Sequence, residues 1–597
     1  MTVNIPDEML LSVEKPARYT GGEVNMAVKN PSEAEIRFGF CFPDIYEIGM
    51  SHLGLSVLYW LINNRDDSYC ERFFAPWIDM EQIMRENKIP LFSLETFTEA
   101  KDFDILGFTL QYEMSCTNIL NMLDLAEMPI YASERGDDFP IVCAGGPCAY
   151  NPEPFAEFFD FFYIGEAEAV LNDILDIYKT NKAENCGKRH FLEKISTLKG
   201  VYVPAFYDVE YKSDGTIKSF TKNYENASDV IEKVIVEDLE TSFFPETQIV
   251  PFIETVHDRV TVELFRGCIR GCRFCQAGYI YRPVRERSAK TLTAQTRKLV
   301  ASTGHEEISL LSLSTGDYTE FQELSEALID EHSKNGVGLS LPSMRVDAFS
   351  LELMGKIQGV RKSSLTFAPE AGSQRLRDVI NKNLSEEEIL GGCRLAFEGG
   401  WDRVKLYFMT GLPNETDDDL RGIAELCYKI LRERINKPIN INASASCFVP
   451  KPFTPFQWVS QNTIAEFSRK NYFIKENMGK KIKFNYHSPE VSVLEGLIAR
   501  GDRRAGKVIA AAHRLGARFD GWNDKFSREI WNKAAEEAGV DTAFYTERKR
   551  DYDEILPWDH ISIGISKDFF IRESEKALNG ETTPNCREGC GGCGLSC

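Results

Sequence analysis

From about residue 31 onward, short apolar runs alternate with amphipathic stretches. The runs "EIRFGFCF" (35–42), "ILGFTLQ" (105–111) and "FPIVCAGG" (139–146) have the length and composition of buried strands. Between them, "SHLGLSVLYWLINN" (51–64) and "TNILNMLDLAE" (117–127) repeat apolar residues at helical spacing. Glycines and prolines follow the strands. This is the pattern of a doubly wound α/β domain over 31–181, a fold that binds ligands at the carboxyl ends of its strands. Residues 1–30 precede it as an extension. Residues 182–250 read as a β-rich connector whose hairpin (200–220) turns at Ser213-Asp214-Gly215. A strand-then-helix unit then recurs six times over 251–479, with strands at 260–267, 308–315, 337–345, 363–370, 403–410 and 441–450. Such a series predicts a partial (βα)6 barrel, with its active site on the loops that follow the strands. Residues 480–580 are mostly helical in pattern, and 581–597 form a cysteine-bearing tail.

Composition narrows the classes. The chain of 597 residues is 43% hydrophobic and 27% charged, as in an ordinary globular protein. Its net charge of −22 argues against general nucleic-acid binding, which needs local Lys and Arg to neutralise phosphate. The start, "MTVNIPDEML", lacks the charged and apolar regions of a secretory signal, and no run has the apolar length of a membrane span. A cytoplasmic protein is expected. Sixteen cysteines in a reducing compartment point to metal binding before disulfides where they cluster. Nine are scattered and read as small buried hydrophobes; the other seven fall in two groups, Cys268 to Cys275 and Cys586 to Cys597.

The first group, "RGCIRGCRFCQAG", places Cys268, Cys272 and Cys275 in the loop after the first barrel strand. A structural zinc site closes with four ligands, and the nearest histidine, His257, lies on the far side of the strand. Three thiolates suit an iron–sulfur cubane that keeps one iron open to a ligand. Zinc and a chance grouping are the alternatives.

The CxxxCxΦC spacing, with Phe274 as Φ, in the first loop of a βα barrel resembles the radical S-adenosylmethionine (SAM) superfamily. The resemblance implies a 4Fe–4S cluster on Cys268, Cys272 and Cys275. It implies SAM chelated at the open iron and one-electron cleavage to a 5′-deoxyadenosyl radical, fed by a donor such as flavodoxin or ferredoxin. It places Phe274 near the cluster and adenine. Arg266, Arg270 and Arg273 are expected beside the anionic cluster, or else as a solvated basic loop. "STGD" (314–317) stands where the family receives the SAM amino group, nominating Gly316 and Asp317. "LPSMRVD" (341–347) aims Arg345 at the mouth. "APEAGSQ" (368–374) resembles the ribose-contacting segment, nominating Glu370 and Ser373. "MTGLPNET" (409–416) and "FVPKPFTPFQW" (448–458) match family loops after the fifth and sixth strands. A turn or helix cap is the alternative for each of the shorter strand-end motifs.

The likeness extends upstream. "FPDIYEIGMSHLGL" (42–55), "GFTLQYEMSCTNIL" (107–120), "AGGPCAYNPEPFAEFFD" (144–160) and "IGEAEAV" (164–170) resemble the cobalamin-binding domain fused to radical-SAM barrels. Many such domains carry Asp-x-His-x-x-Gly. Here Asp44, Tyr46 and Gly49 keep the spacing with Tyr in the ligand position, so cobalamin is expected without histidine below cobalt. His52 reads as a helix-start residue. Gly145 and Gly146 permit close backbone approach to a nucleotide tail. In the tail, Cys586, Cys590, Cys593 and Cys597 suit structural zinc and an auxiliary 4Fe–4S cluster equally. Arg500, Arg504, Lys507, Arg514 and Arg518 fall near one helical face, as a solvated face or a phosphate clamp. The leading expectation is a cobalamin-dependent radical-SAM enzyme that transfers methyl to an unactivated carbon. A cobalamin-independent rearrangement and a zinc-bearing RNA-binding scaffold are the alternatives.

Overall fold

The computed structural model describes residues 2–340, 365–434 and 438–595. Arg345 and Cys597 lie outside these residues. The first domain is a six-stranded sheet: β1 (Ile36–Phe42), β2 (Ser68–Phe74), β3 (Ile105–Thr109), β4 (Ile141–Gly145), β5 (Phe161–Tyr163) and β6 (Val201–Tyr202), in the order β2-β1-β3-β4-β5-β6. The first five strands run parallel, and β6, from the connector region, closes the edge antiparallel. Every residue of β2 and all but Arg37 of β1 are buried, because helices cover both faces of a parallel sheet. The chain leaves β1 toward β2 and then returns to place β3 on the other side of β1. That reversal makes a switch point, where the loops after β1 and β3 diverge and leave a crevice. The connector hairpin, β7 (Tyr207–Tyr211) and β8 (Ile217–Lys222), brackets the turn that its sequence predicts.

The barrel strands are β9 (Val260–Glu263), β10 (Glu307–Leu311), β11 (Gly338–Ser340), β12 (Leu365–Glu370), β13 (Arg403–Thr410) and β14 (Asn440–Cys447). A seventh, β15 (Ile482–Tyr486), extends the six expected by pairing parallel with β14. Strands β9 to β11 pair in one sheet and β12 to β15 in another, all parallel. Side chains alternate. Val260, Val262, Val404, Leu406, Ile441 and Ala443 are buried among the outer helices. The alternate positions Thr261, Glu263, Lys405, Tyr407, Asn442 and Ser444 are not buried, which gives the barrel a polar inner wall. The helix Leu53–Asn63 of the first domain sends Val57 into the same core as Val260 and Leu292, so the two domains share packed surface.

The C-terminal helices cap the junction. Trp522 Nε1 donates to Asp44 Oδ1 at 3.2 Å, and Trp77 packs on both Phe519 and Trp522. Among the described residues no helix is long and apolar enough to cross a membrane.

Candidate active site at the barrel mouth

The loop that carries the three thiols is held shut at its base. Phe265–Arg266 pairs antiparallel with Arg285–Glu286, and Gly267 adopts φ +89° where a Cβ would lie 2.6 Å from the Pro283 carbonyl oxygen. Only glycine fits this turn. The base is bolted to the first domain. Glu166 accepts from Arg285 at 2.7 and 2.8 Å and pairs with Arg266 at 3.1 Å, and Glu168 pairs with Arg266 at 2.6 Å. Burial pushes the Glu166 carboxyl up, but the Arg285 hydrogen bonds and the charges of Arg266 and Arg285 outweigh it and hold the group below its ordinary range. The "IGEAEAV" segment therefore locks the cysteine loop in place.

Within the loop, Cys268, Cys272 and Cys275 are half-buried. Backbone N–H groups of Arg270 and Gly278 donate to the Sγ atoms of Cys268 and Cys275, each at 3.4 Å. Burial raises the Cys268 thiol to about 11 and the Cys275 thiol to about 12, with the neighbouring loop thiols adding to the rise. Cys268 feels the charge of Cys272, and Cys275 feels both. Among the described residues no three Cys, His, Asp or Glu side chains converge as a single ion would require. Three neighbouring loop thiols, two of them accepting from backbone N–H groups, are a donor set that fits an iron–sulfur cluster with one iron left open.

The loops after other strands meet this one. Asp317, buried in the turn after β10, accepts from Arg270 Nε at 2.9 Å and also from Nη2, and Ser314 Oγ donates to it at 2.6 Å. Gly316 lies beside it in the same short 3-10 turn. At the end of β12, Glu370 takes φ +68°, a strained conformation for a residue with a side chain, and pairs with Lys382 at 3.0 Å. The Lys382 ammonium lies 6.0 Å from the Phe274 ring centre, and its charge works against the rise of the Cys275 pKa. Phe274 packs at the edge of an apolar group that includes Leu376, Met409 and Phe448. Lys382 went unread in the sequence, where "INKN" carries no motif.

Several expectations are corrected. The three arginines are not free charges around a cluster. Arg266 is committed to Glu263, Glu166 and Glu168; Arg270 forks onto Asp317; Arg273 is fully buried against Glu573 and backbone carbonyls. Ser373 caps the helix Gln374–Val379, accepting from Leu376 N at 3.1 Å and donating to Asp419. The basic helical face is no phosphate clamp. Arg504 pairs with Asp502, Arg514 with Glu537 and Arg518 with Glu81, while Arg500 is fully buried.

The first domain's nominated residues are also internal. Tyr46 is 1% exposed, and its hydroxyl donates to Glu23 at 2.8 Å. A Cβ on Gly49 would lie 2.3 Å from the Phe74 ring, so this glycine serves packing. Asp44 accepts from Ile45 N–H and from Trp522. His52 caps the helix Leu53–Asn63: its Nδ1 accepts from Leu55 N–H at 3.1 Å, and burial pushes its pKa down to about 4. An imidazole that is neutral and accepts at Nδ1 carries its proton on Nε2, which leaves no lone pair there for a metal. At the ends of β3 and β4 the loops are differently built. Gly145 ends β4 without crowding. Gly146 takes φ +105°, with the Leu110 carbonyl oxygen 2.9 Å from where a Cβ would stand. Tyr112 is 41% exposed, and Lys451, from the exit of β14, pairs with Glu113 at 2.5 Å and Glu495 at 2.7 Å. These loops reach Lys451 at the barrel exit and lie next to the switch point between β1 and β3, where a doubly wound sheet takes its ligands.

Comparison with known proteins agrees with this geometry. The family model for radical SAM proteins, N-terminal, matches residues 54–204, and that for the radical SAM superfamily matches residues 262–427. The chain belongs to the radical SAM superfamily. It is 29% identical over 427 residues to an uncharacterised protein of Methanocaldococcus jannaschii, covering 71% of this chain and 84% of that one. A candidate methylthiotransferase of the same organism is 28% identical over 170 residues, 27% of this chain and 37% of the other. Among solved structures, the radical SAM methyltransferase TsrM of Kitasatospora setae, with cobalamin and a 4Fe–4S cluster bound, superposes with a TM-score of 0.52 at 11% identity. The match covers 84% of this chain and 99% of that one, and it shows a shared fold.

Proposed function

We propose that this radical SAM enzyme is cobalamin-dependent and transfers a methyl group to an unactivated carbon of its substrate. The observation that carries the reading is the junction itself. The thiol loop after β9 and the strand-end loops beside the switch point of the first sheet lie on two domains bolted together through Glu166, Arg266 and Arg285. Cys268, Cys272 and Cys275 would hold a 4Fe–4S cluster. When loaded and reduced by a low-potential donor such as flavodoxin or ferredoxin, cluster and SAM supply a 5′-deoxyadenosyl radical.

The chain's own residues then divide the remaining work. Asp317, fixed by Arg270 and Ser314, presents a carboxylate where the SAM amino group is expected. Glu370 and Lys382 set a charge pair beside Phe274, which offers an apolar face to adenine. The polar inner wall of Lys405, Tyr407, Asn442 and Ser444 would receive the substrate. Gly146 and Tyr112 would border a bound cobalamin, which would supply the methyl group, while Tyr46 and His52 stay engaged within the domain. Anaerobic reconstitution with iron, sulfide and cobalamin, followed by incubation with SAM and reductant, tests the reading. Methyl transfer yields S-adenosylhomocysteine together with 5′-deoxyadenosine. Formation of 5′-deoxyadenosine without S-adenosylhomocysteine would favour a radical rearrangement instead.

A further inference from the structure

The tail does not hang free. The Cys586 N–H donates to the Ile269 carbonyl at 3.1 Å, directly beside the cluster-loop residue Cys268. The helix Lys567–Asn579 holds the tail there. Its Phe570 ring lies 5.3 Å from Tyr279 of the loop, and its Glu573 pairs with Arg273 at 3.0 Å. Asn381 Oδ1 accepts from Thr583 N–H at 2.8 Å, and Asn381 Nδ2 donates to the Gly271 carbonyl at 3.0 Å. One asparagine thus bridges tail and loop.

Between tail and loop lies a cavity of about 290 Å³. Cys586, Cys590 and Cys593 line it on the tail side, and Ile269, Tyr279 and Arg282 on the loop side. A cavity of this size has room for a polynuclear group as well as a single ion. Two buried cations attend the thiols. Lys233 donates to the carbonyls of Ile280 and Arg282 and lies within electrostatic reach of Cys593. Arg282 is 4% exposed, and its Nε has no hydrogen-bond partner among the described residues. Its charge interacts with Cys586 and Cys593 and also with Cys268. A buried guanidinium edge without a partner, in a wall of thiols, marks a place for an anionic group.

We propose that this cavity holds a second iron–sulfur cluster on Cys586, Cys590 and Cys593, and that this cluster passes electrons to the cluster on Cys268, Cys272 and Cys275. The relay rests on the function proposed above; the binding site does not. Cys590 is exposed, while Cys593 is buried against the loop, so the site has an outer edge for a donor and an inner edge at Ile269. One electron from a low-potential one-electron donor protein takes the tail cluster from the 2+ to the 1+ state. Its onward transfer returns the tail cluster to 2+ and reduces the barrel cluster by the same one electron. A single hydrogen bond, Cys586 N–H to the Ile269 carbonyl, joins the two ligand sets into an otherwise covalent path.

The test uses the full chain, reconstituted anaerobically. Unsubstituted protein should hold about eight irons and no stoichiometric zinc, at four irons per cluster. Its reduced EPR spectrum should show two interacting clusters. Cys590→Ser with Cys593→Ser should lose about half the iron. In that variant, 5′-deoxyadenosine formation with a reduced flavodoxin, relative to that with titanium(III) citrate, should fall at least tenfold. About four irons in the unsubstituted protein, or zinc in the tail, would overturn the site. An unchanged donor ratio with half the iron lost would overturn the relay. A Cys268→Ala, Cys272→Ala, Cys275→Ala protein should keep about four irons. That count reads the tail site even if the barrel loop proves not to cleave SAM, and iron-free protein here would also overturn the tail site.

Discussion

Arg270 holds Asp317 in a fork, with Nε donating to Oδ2 at 2.9 Å and Nη2 donating to Oδ1. The contact joins the cysteine loop after β9 to the turn after β10, so the carboxylate nominated for the SAM amino group is positioned by a residue that lies between Cys268 and Cys272. Asp317→Asn removes the charge and half the fork. We expect kcat/KM for SAM to fall roughly 10- to 100-fold, the range seen when a supporting partner of a bound group is removed. The iron content should stay unchanged. Steady-state SAM cleavage measured beside an iron assay checks both halves.

Glu166 makes a prediction about stability. It is buried with Arg285 and Arg266, and removing one partner of such a group leaves charge uncompensated. Glu166→Gln should destabilise the chain by about 3–5 kcal/mol near neutral pH. The carboxyl has a folded pKa below its ordinary value, so its stabilisation is complete above the unfolded pKa and is lost as pH falls through the folded one. The gap between the native chain and Glu166→Gln should therefore narrow on acidification below about pH 4. Urea unfolding of both proteins across pH 3 to 8 measures it. A gap that widens toward acid would contradict the assignment.

Much of this was legible in the sequence, and the reasons differ by residue. Strand runs such as "EIRFGFCF" are largely buried, with only Glu35 and Arg37 reaching outward, so β1 is legible. The thiol spacing could be read because three ligands in eight positions have few other uses. The motifs nominate Ser373, Tyr46 and Gly49 as ligand contacts, but a motif fixes spacing and not direction, and in the fold Ser373 caps a helix, Tyr46 bonds Glu23 and Gly49 packs on Phe74. The hydroxyl of Tyr46 points to Glu23, a partner 23 residues away that no local pattern reveals. The arginines Arg266 and Arg273 looked available for the same reason; their partners, Glu168 and Glu573, lie 98 and 300 residues distant. Six of the nine scattered cysteines are buried as expected, while Cys186 is exposed and Cys143 and Cys148 are half-buried.

The cobalt centre provides a spectroscopic prediction. In the cobalamin-dependent reading proposed above, Tyr46 is enclosed against Glu23 and His52 Nδ1 accepts from Leu55 N–H, so neither is expected to ligate cobalt. Cobalt(II) EPR of the cobalamin-loaded chain should show no hyperfine coupling from a protein imidazole. Tyr46→Phe should leave cobalamin affinity unchanged within about twofold. It should cost about 1–3 kcal/mol in stability, because Glu23 loses a buried donor. Imidazole nitrogen coupling that vanishes in His52→Gln would refute this arrangement.

In the proposed function, SAM cleavage depends on the three thiols after β9. Cys268→Ala leaves two thiolates on the loop, too few to anchor the cluster that opens one iron to SAM. In anaerobically reconstituted Cys268→Ala protein, reduced with titanium(III) citrate in the presence of SAM, 5′-deoxyadenosine formation should fall to the background of protein-free controls. Formation at the native rate would contradict it.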